Sequence, residues 1–461
     1  MKKLLALLLA LVMIVGLVAC GAKEEAAAPA ATEAAPAAKE EAAAPAEKAE
    51  ELEGELVFLD VMPSDDHTRI MEYILDDFMA KNPGVTVEYT SVPWDEAYGK
   101  VMAMAAAGTL PDVLNTNYIE LIAGGYVMYL DEYWETVPYK DDVTDATLAY
   151  DGSYYQGRMF SIPDGSIHRG VYVRTDWLEE AGIDIETLRN WTWDDYFMVC
   201  EALTDPEQGR YGCAFRGGMG GFDAVIEYFQ AENAMPDAYV DLANSSETYF
   251  HFDNATELYE KWMGLYTNGW APKESINWGF TEMVAGFTSG QCGTVIQTPE
   301  VVLICEELME DGTWTVLPFP EPATQDKQVM SWGPSFSYTI SANTENPDLA
   351  WALLEHIASP EMNLYYNKEY GQFPNYNSCL SDPYFQEGVM KGYADVLLKD
   401  NLVYGNYSKY MPTWAGFTNE TMKESMQKYM QGQITSEEAI AEICAWYEEN
   451  WESAKEAKGL A

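Results

Sequence analysis

With 75 carboxylates against 26 lysines and arginines, acid–base catalysis is the first chemistry to look for in this 461-residue chain. Adjacent acids such as Asp65-Asp66 and Asp194-Asp195 are expected by chance at that density. A glycosidase needs two carboxyls facing each other, and spacing along a chain does not reveal such a pair. The four histidines, 67, 168, 251 and 356, lie far apart and have no metal-ligand spacing. No CxxC, GxSxG, HExxH, GxxxxGK[ST] or GxGxxG occurs. RGGMGGFD (216–223) is glycine-rich but fits neither phosphate fingerprint, and it reads as a loop whose backbone can approach a ligand closely. The sequence therefore assigns no catalytic residue, no metal and no cofactor.

Aromatic side chains are the other abundant resource, with 14 Trp, 31 Tyr and 16 Phe. Their faces stack on the C–H face of a sugar ring, while Asp, Asn and Arg bond its hydroxyls. The candidates for this work sit beside Gly or Pro, away from periodic helix faces: Trp332 in SWGPS, Trp414 in MPTWAG, Phe222 after the glycine loop and Phe373 in GQFPN. No helix face of their own buries such rings, so another partner must cover them. A formal charge of −49 argues against nucleic acid and anionic lipid as partners, and against a strongly anionic ligand.

The elements that must position these residues alternate between β and α. ELVFLDV (55–61) reads as a buried strand; Ser64, Asp65 and Asp66 cap a helix with Ile70, Ile74 and Phe78 on one face; VTVEYTSV resumes strand character. That β-α-β order implies parallel pairing. LPDVLNT, GVYVRTDW, TVIQTP and TWTVLPF are further strands, and Thr435 and Glu438 have capping-box spacing at the start of the last helix. The roughly 400 residues beyond 54 suffice for two domains or one two-lobed body. The cysteines at 200, 213, 292, 305, 379 and 444 sit among apolar residues and read as mostly free core thiols.

The N-terminus is of a different kind. Lys2 and Lys3 precede an apolar run, 4–19, that ends at Cys20, and 21–53 is nearly all Ala, Glu, Pro and Lys. A basic head and an apolar middle describe a secretory signal peptide. A segment of the latter composition buries too little surface to offset its ordering entropy and reads as a tether. Leu17-Val18-Ala19-Cys20 resembles the lipobox of bacterial lipoproteins. The resemblance implies a signal peptide over 1–19, a diacylated Cys20 as the mature N-terminus, and a lipidated tether over 20–53 that anchors the protein to the outer face of the membrane.

Several stretches, in order, resemble the extracellular solute-binding proteins of ABC importers, in the large carbohydrate-binding family. Trp94-x5-Lys100 leads into AAAGTLPDVLNT, similar to a family helix followed by "aG-x-x-PDv"; GYVMYLDEYW resembles "G-x-l-x-x-Ld". YQGRMFSIPDGSIHRGVYVRTDWLEEAGI and TWDDY, FTSGQCGTVIQTP, and NPDLAWALLEHIASPE continue the pattern across the mature chain. Arg189-Asn190-Trp191 departs from the usual proline before TWDD, and Cys292 from the usual small or basic residue, which blurs the subfamily.

The resemblance implies an α/β, two-lobed periplasmic-binding-protein fold (a Venus flytrap) with hinge crossings. Lobe one holds 54–168 and 325–365; lobe two holds 169–324 and 366–461. Loops after strand C-termini face the cleft of such sheets. The expected ligand-binding residues are therefore Ser64, Asp65, Asp66, Asn115, Asn117, Tyr118, Asp164, Ser166, His168, Arg216, Met219, Phe222, Gln297, Thr298, Trp332, Phe373 and Trp414, with Trp414 foremost. Asp112 and Trp193 read as structural. The implied function is capture of a carbohydrate, an oligosaccharide in the first instance, by a monomeric receptor that delivers it to ABC permease subunits. The same fold binding a polyamine or a peptide, and a surface-anchored glycosidase, are the alternatives.

Overall fold

The computed structural model describes residues 52–460 apart from 117, 332, 335, 398, 407–409 and 412. Cys20 and the tether lie outside the described residues. Two sheets, each with its own helices, organise the rest.

The first sheet has the order Gly84–Ser91, Glu53–Asp60, Val113–Asn115, Ser337–Ile340, Ile162–Pro163. Its first three strands are parallel, with Phe58 opposite both Tyr89 and Val113. Leu56 and Phe58 face one core and Leu59 and Val61 another, so both faces are covered, as a near-continuous apolar run predicts. Between the first two strands runs the helix Asp65–Lys81; the Ser64 hydroxyl accepts the His67 N–H at 3.1 Å, and Ile70, Met71, Ile74, Leu75 and Phe78 form its buried face. Asp112 ties the edge together by accepting from the Val57 N–H (2.9 Å) and the Thr344 hydroxyl (2.6 Å).

The second sheet has the order Trp314–Leu317, Gly170–Arg174, Cys292–Gln297, Tyr211–Cys213. Val171 and Val173 point into one core, and Tyr172 and Val295 into the other. The sequence TWDD folds as a capping box in which Thr192 and Asp195 satisfy each other's backbone N–H groups. This aims Trp193 inward, where it is fully buried with ring centroids 5.0 Å from Phe319 and 5.7 Å from Trp262. The last helix, Ser436–Ala457, opens on the expected Thr435–Glu438 box. All six described cysteines are free, and five are buried.

Packing moves two of the expected lobe boundaries. Gln328–Ser331, expected in the first lobe from residue 325, pairs in parallel with Leu402–Gly405, and the Ser331 hydroxyl donates to Gln230 in the second body. Its partner strand lies far downstream, so nothing local could announce the pairing. The helix Pro360–Tyr370 runs through the expected boundary at 366 and packs Met362 and Tyr366 into the first core; it stops only at Gly371, φ +77°.

Among the described residues, three stretches between the two bodies hydrogen-bond to one another. Ser166 and Phe373 exchange N–H···O bonds of 2.7 and 2.9 Å; Ile167 donates to Gly333 at 2.8 Å and accepts in return at 3.3 Å; the Asp164 N–H donates to the Phe336 carbonyl at 3.0 Å. Gly165 permits this crowding, because a Cβ there would lie 2.0 Å from Asn367 Oδ1.

Candidate functional site

Strand ends and crossings converge where the two bodies face each other. On the first body, Asp60 ends its strand fully buried. It accepts from His67 Nδ1 (2.8 Å), the Tyr89 hydroxyl (2.6 Å) and the Met62 N–H (2.8 Å). Burial alone would raise this carboxyl, but the bonds from His67, Tyr89 and Met62 outweigh it and hold it below the ordinary value. His67 Nε2 lies 3.1 Å from the Tyr366 hydroxyl, which donates to Asp164 Oδ2 at 3.2 Å. Asp164 also accepts the Phe336 N–H, yet burial dominates and pushes its carboxyl up to about 7. Asn115, opposite Asp60 and Tyr338, is fully buried, and neither atom of its amide has a partner among the described residues.

An aromatic wall flanks this floor. Trp94 follows the strand Gly84–Ser91, opens the next helix, and is 47% exposed; its ring meets the buried Phe336 edge-on at 5.1 Å. One turn on, Tyr98 is 42% exposed and stands edge-on to Tyr118 at 5.2 Å. Burial pushes the Tyr118 phenol up to about 12.

The second body contributes charge. Arg169, the first residue past the crossing from Asp164, is 10% exposed and pairs with Glu227 at 2.9 Å, with Asp223 at 4.0 Å. Arg216 sits under the glycine loop. A Cβ on Gly220 (φ +80°) would lie 2.5 Å from its Nη2, so only glycine lets the chain close over the guanidinium. Behind it a cavity of about 30 Å³, bounded by Arg169, Phe215, Gly221 and Ile296, has room for a water or two. Glu300 follows the strand Cys292–Gln297 and accepts from the Thr298 hydroxyl at 2.5 Å; burial raises its carboxyl, and its Oε2 has no partner among the described residues. Tyr370 spans the two bodies: half-buried, edge-on to His67 at 5.0 Å, its phenol is raised by burial and then by the nearby Glu300, Asp164 and Asp60.

Of the expected residues, Asn115, Tyr118 and Asp164 lie on the first body and Arg216, Gln297 and Thr298 on the second, at strand ends, a crossing and the glycine loop. Ser64, Asp65 and Asp66 are exposed at a helix start nearby, and Met219 is exposed on the glycine loop. Four expected contacts are instead packing residues. Phe222 lies 1% exposed between Phe250 (6.3 Å) and Phe417 (5.7 Å). Phe373 and His168 bury against each other, and burial pushes His168 down to about 3 while its Nε2 bonds the Tyr393 carbonyl. Trp414, 7% exposed, is covered by Phe417 and by Trp446 of the last helix. The missing cover for that loop ring was supplied by a helix distant in sequence. Ser166 serves the crossing through its backbone. Asn117 and Trp332 lie outside the described residues. Trp94, Tyr98, Phe336, Arg169, Glu300 and Tyr370 escaped the sequence reading, although Trp94 and Tyr98 share one helix face by their i, i+4 spacing.

A hinge of three crossings between two α/β bodies, with polar and aromatic groups on the facing surfaces, defines a two-lobed binding protein. The chain belongs to the bacterial extracellular solute-binding protein family, whose model matches residues 64–364. It is 22% identical to the lactose-binding protein of Rhizobium radiobacter over 315 residues, 64% of this chain and 68% of that one. Its fold is that of the GacH receptor of Streptomyces glaucescens, solved unliganded and with acarbose: TM-score 0.73, 19% identity, covering 87% of this chain and 99% of that one. It is also that of an ABC substrate-binding protein from Listeria monocytogenes in complex with cycloalternan: TM-score 0.70, 14% identity, covering 86% and 98%.

Proposed function

We propose that this protein is the lipid-anchored receptor of an ABC importer, taking up a carbohydrate between its lobes and presenting it to the permease. The observation that carries this reading is an exposed aromatic wall, Trp94 and Tyr98, together with buried polar atoms that have no partner among the described residues: the Asn115 amide on one lobe, and Arg216 Nε and Glu300 Oε2 on the other. A ring stacked on the wall leaves its hydroxyls directed at both polar sets. Both sets are reached only when the lobes close, so ligand shifts the open–closed balance by its differential affinity. A micromolar ligand supplies about 8 kcal/mol, enough to close the lobes and still allow release. Cys20 holds the receptor at the membrane through the 20–53 tether, which keeps its concentration near the permease high.

Thermal unfolding of the purified protein against a panel of oligosaccharides, polyamines and peptides tests the reading. A raised melting temperature with a saccharide recovered intact is the expected result. Stabilisation by polyamines or peptides alone would replace the ligand class, and recovery of cleaved saccharide would replace the binding function with hydrolysis.

A further inference from the structure

The chain has seven arginines. Six of them, Arg69, Arg158, Arg169, Arg174, Arg189 and Arg210, are in ion pairs. Among the described residues Arg216 has neither an ion-pair nor a hydrogen-bond partner, and its buried Nε is unsatisfied there. In a chain with nearly three acids per base this is the reverse of what composition favours. Burial and the neighbouring Arg169 together push Arg216 down to about 10, against the pull of the more distant Asp223, Glu300 and Glu282. A largely buried guanidinium without a counter-ion is a costly feature, and the fold takes trouble to keep it, closing a glycine loop over its planar face.

The surrounding acids do not serve as that counter-ion. Glu227 is taken by Arg169, Asp223 stands 4.0 Å from Arg169, and Glu300 turns one oxygen to Thr298. The helix Phe222–Asn233 starts directly after the loop with no side-chain cap, so no acidic cap residue there competes for the guanidinium. A planar fork with free donors matches a carboxylate in two parallel bonds.

We propose that Arg216 is the subsite for a carboxylate carried by the captured sugar, so that the ligand is an acidic, uronic-acid-containing saccharide. This rests on the receptor reading and narrows it. The carboxylate lies against the Arg216 guanidinium and accepts two parallel N–H···O bonds from it. The acids flanking the site tolerate one negative charge and oppose the two of a phosphate monoester. The overall charge of −49 does not forbid this, because surface carboxylates more than about 8 Å away are largely screened at physiological salt, whereas Arg216 acts in contact.

Calorimetric titration of the full chain with digalacturonate and diglucuronate, their methyl esters, the corresponding neutral disaccharides and a sugar phosphate decides it. The free acids are expected to bind about ten-fold or more tightly than their uncharged esters. Arg216→Gln erases that preference and Arg216→Lys retains part of it. If Arg216→Gln does not fold, the comparison of acid with ester on the unaltered protein decides alone. Equal binding of acid and ester, or tighter binding of the sugar phosphate, overturns the carboxylate subsite. Binding of neutral saccharides alone overturns it while leaving the receptor reading in place; binding of no saccharide overturns both.

Discussion

Asp164 offers the most demanding test, because one carboxyl joins two hinge crossings. Its backbone N–H and its Oδ2 both bond Phe336, and Tyr366 donates to the same oxygen, yet the group is 1% exposed and burial raises it from 3.8 to about 7. The folded protein therefore holds a proton on Asp164 between those values while the unfolded chain has lost it. Where the folded state binds more protons, stability falls as pH rises. At about 1.4 kcal/mol per unit, the span of about three units corresponds to a decline of up to about 4 kcal/mol between pH 4 and pH 7, flat above. The Tyr338 and Tyr366 phenols that face Asp164 are raised by burial well above this range and stay protonated across it, so the raw pH profile mixes Asp164 only with titrating groups elsewhere in the chain. Asp164→Asn keeps an acceptor for Phe336 and Tyr366 and removes the charge. Urea unfolding, followed by tryptophan fluorescence from pH 4.5 to 8.5, should show the variant gaining on the wild type by about 2–4 kcal/mol as pH rises. A difference between the two proteins that stays constant across that range would refute the assignment of a raised carboxyl to the hinge.

Other substitutions separate the wall, the hinge and the core. Trp94→Ala opens about 100 Å² of ring otherwise available to a ligand. If a sugar covers half of it, about 1.3 kcal/mol or roughly ten-fold in affinity is lost by titration calorimetry, with little change in the midpoint of thermal unfolding. Gly165→Ala drives a methyl against Asn367 Oδ1, and Asn367 cannot withdraw without breaking its bonds to the Asp164 and Asn363 carbonyls. Thermal unfolding should register a loss of about 1–3 kcal/mol. Trp414→Ala removes a ring packed between Phe417 and Trp446, so it should destabilise by about 3–5 kcal/mol while the folded fraction binds ligand as before. A large loss of affinity without loss of stability would return Trp414 to the cleft.

Local patterns in the sequence determined local outcomes. The apolar run at 55–61 became a strand covered on both faces, Ser64 capped the helix that follows, and the Thr435–Glu438 and Thr192–Asp195 spacings became capping boxes, because each depends on residues within one or two turns. The order of weak motifs was enough to place the chain in its family, since that order records the succession of elements. The same logic put Asn115 at a strand end and Asp164 at a crossing, because such positions can be read from where the strand is. What sequence left open was every question answered by a distant partner. Whether a loop aromatic faces a ligand or a core depends on what arrives to cover it: Trp446 reached Trp414 and Phe250 reached Phe222, while Trp94 kept about half its surface open. Strand Gln328–Ser331 joined the second body because Leu402–Gly405 lay beside it. Arg216 likewise became distinctive only through the acids that turned to other partners, which is a property of three-dimensional neighbourhood and not of spacing along the chain.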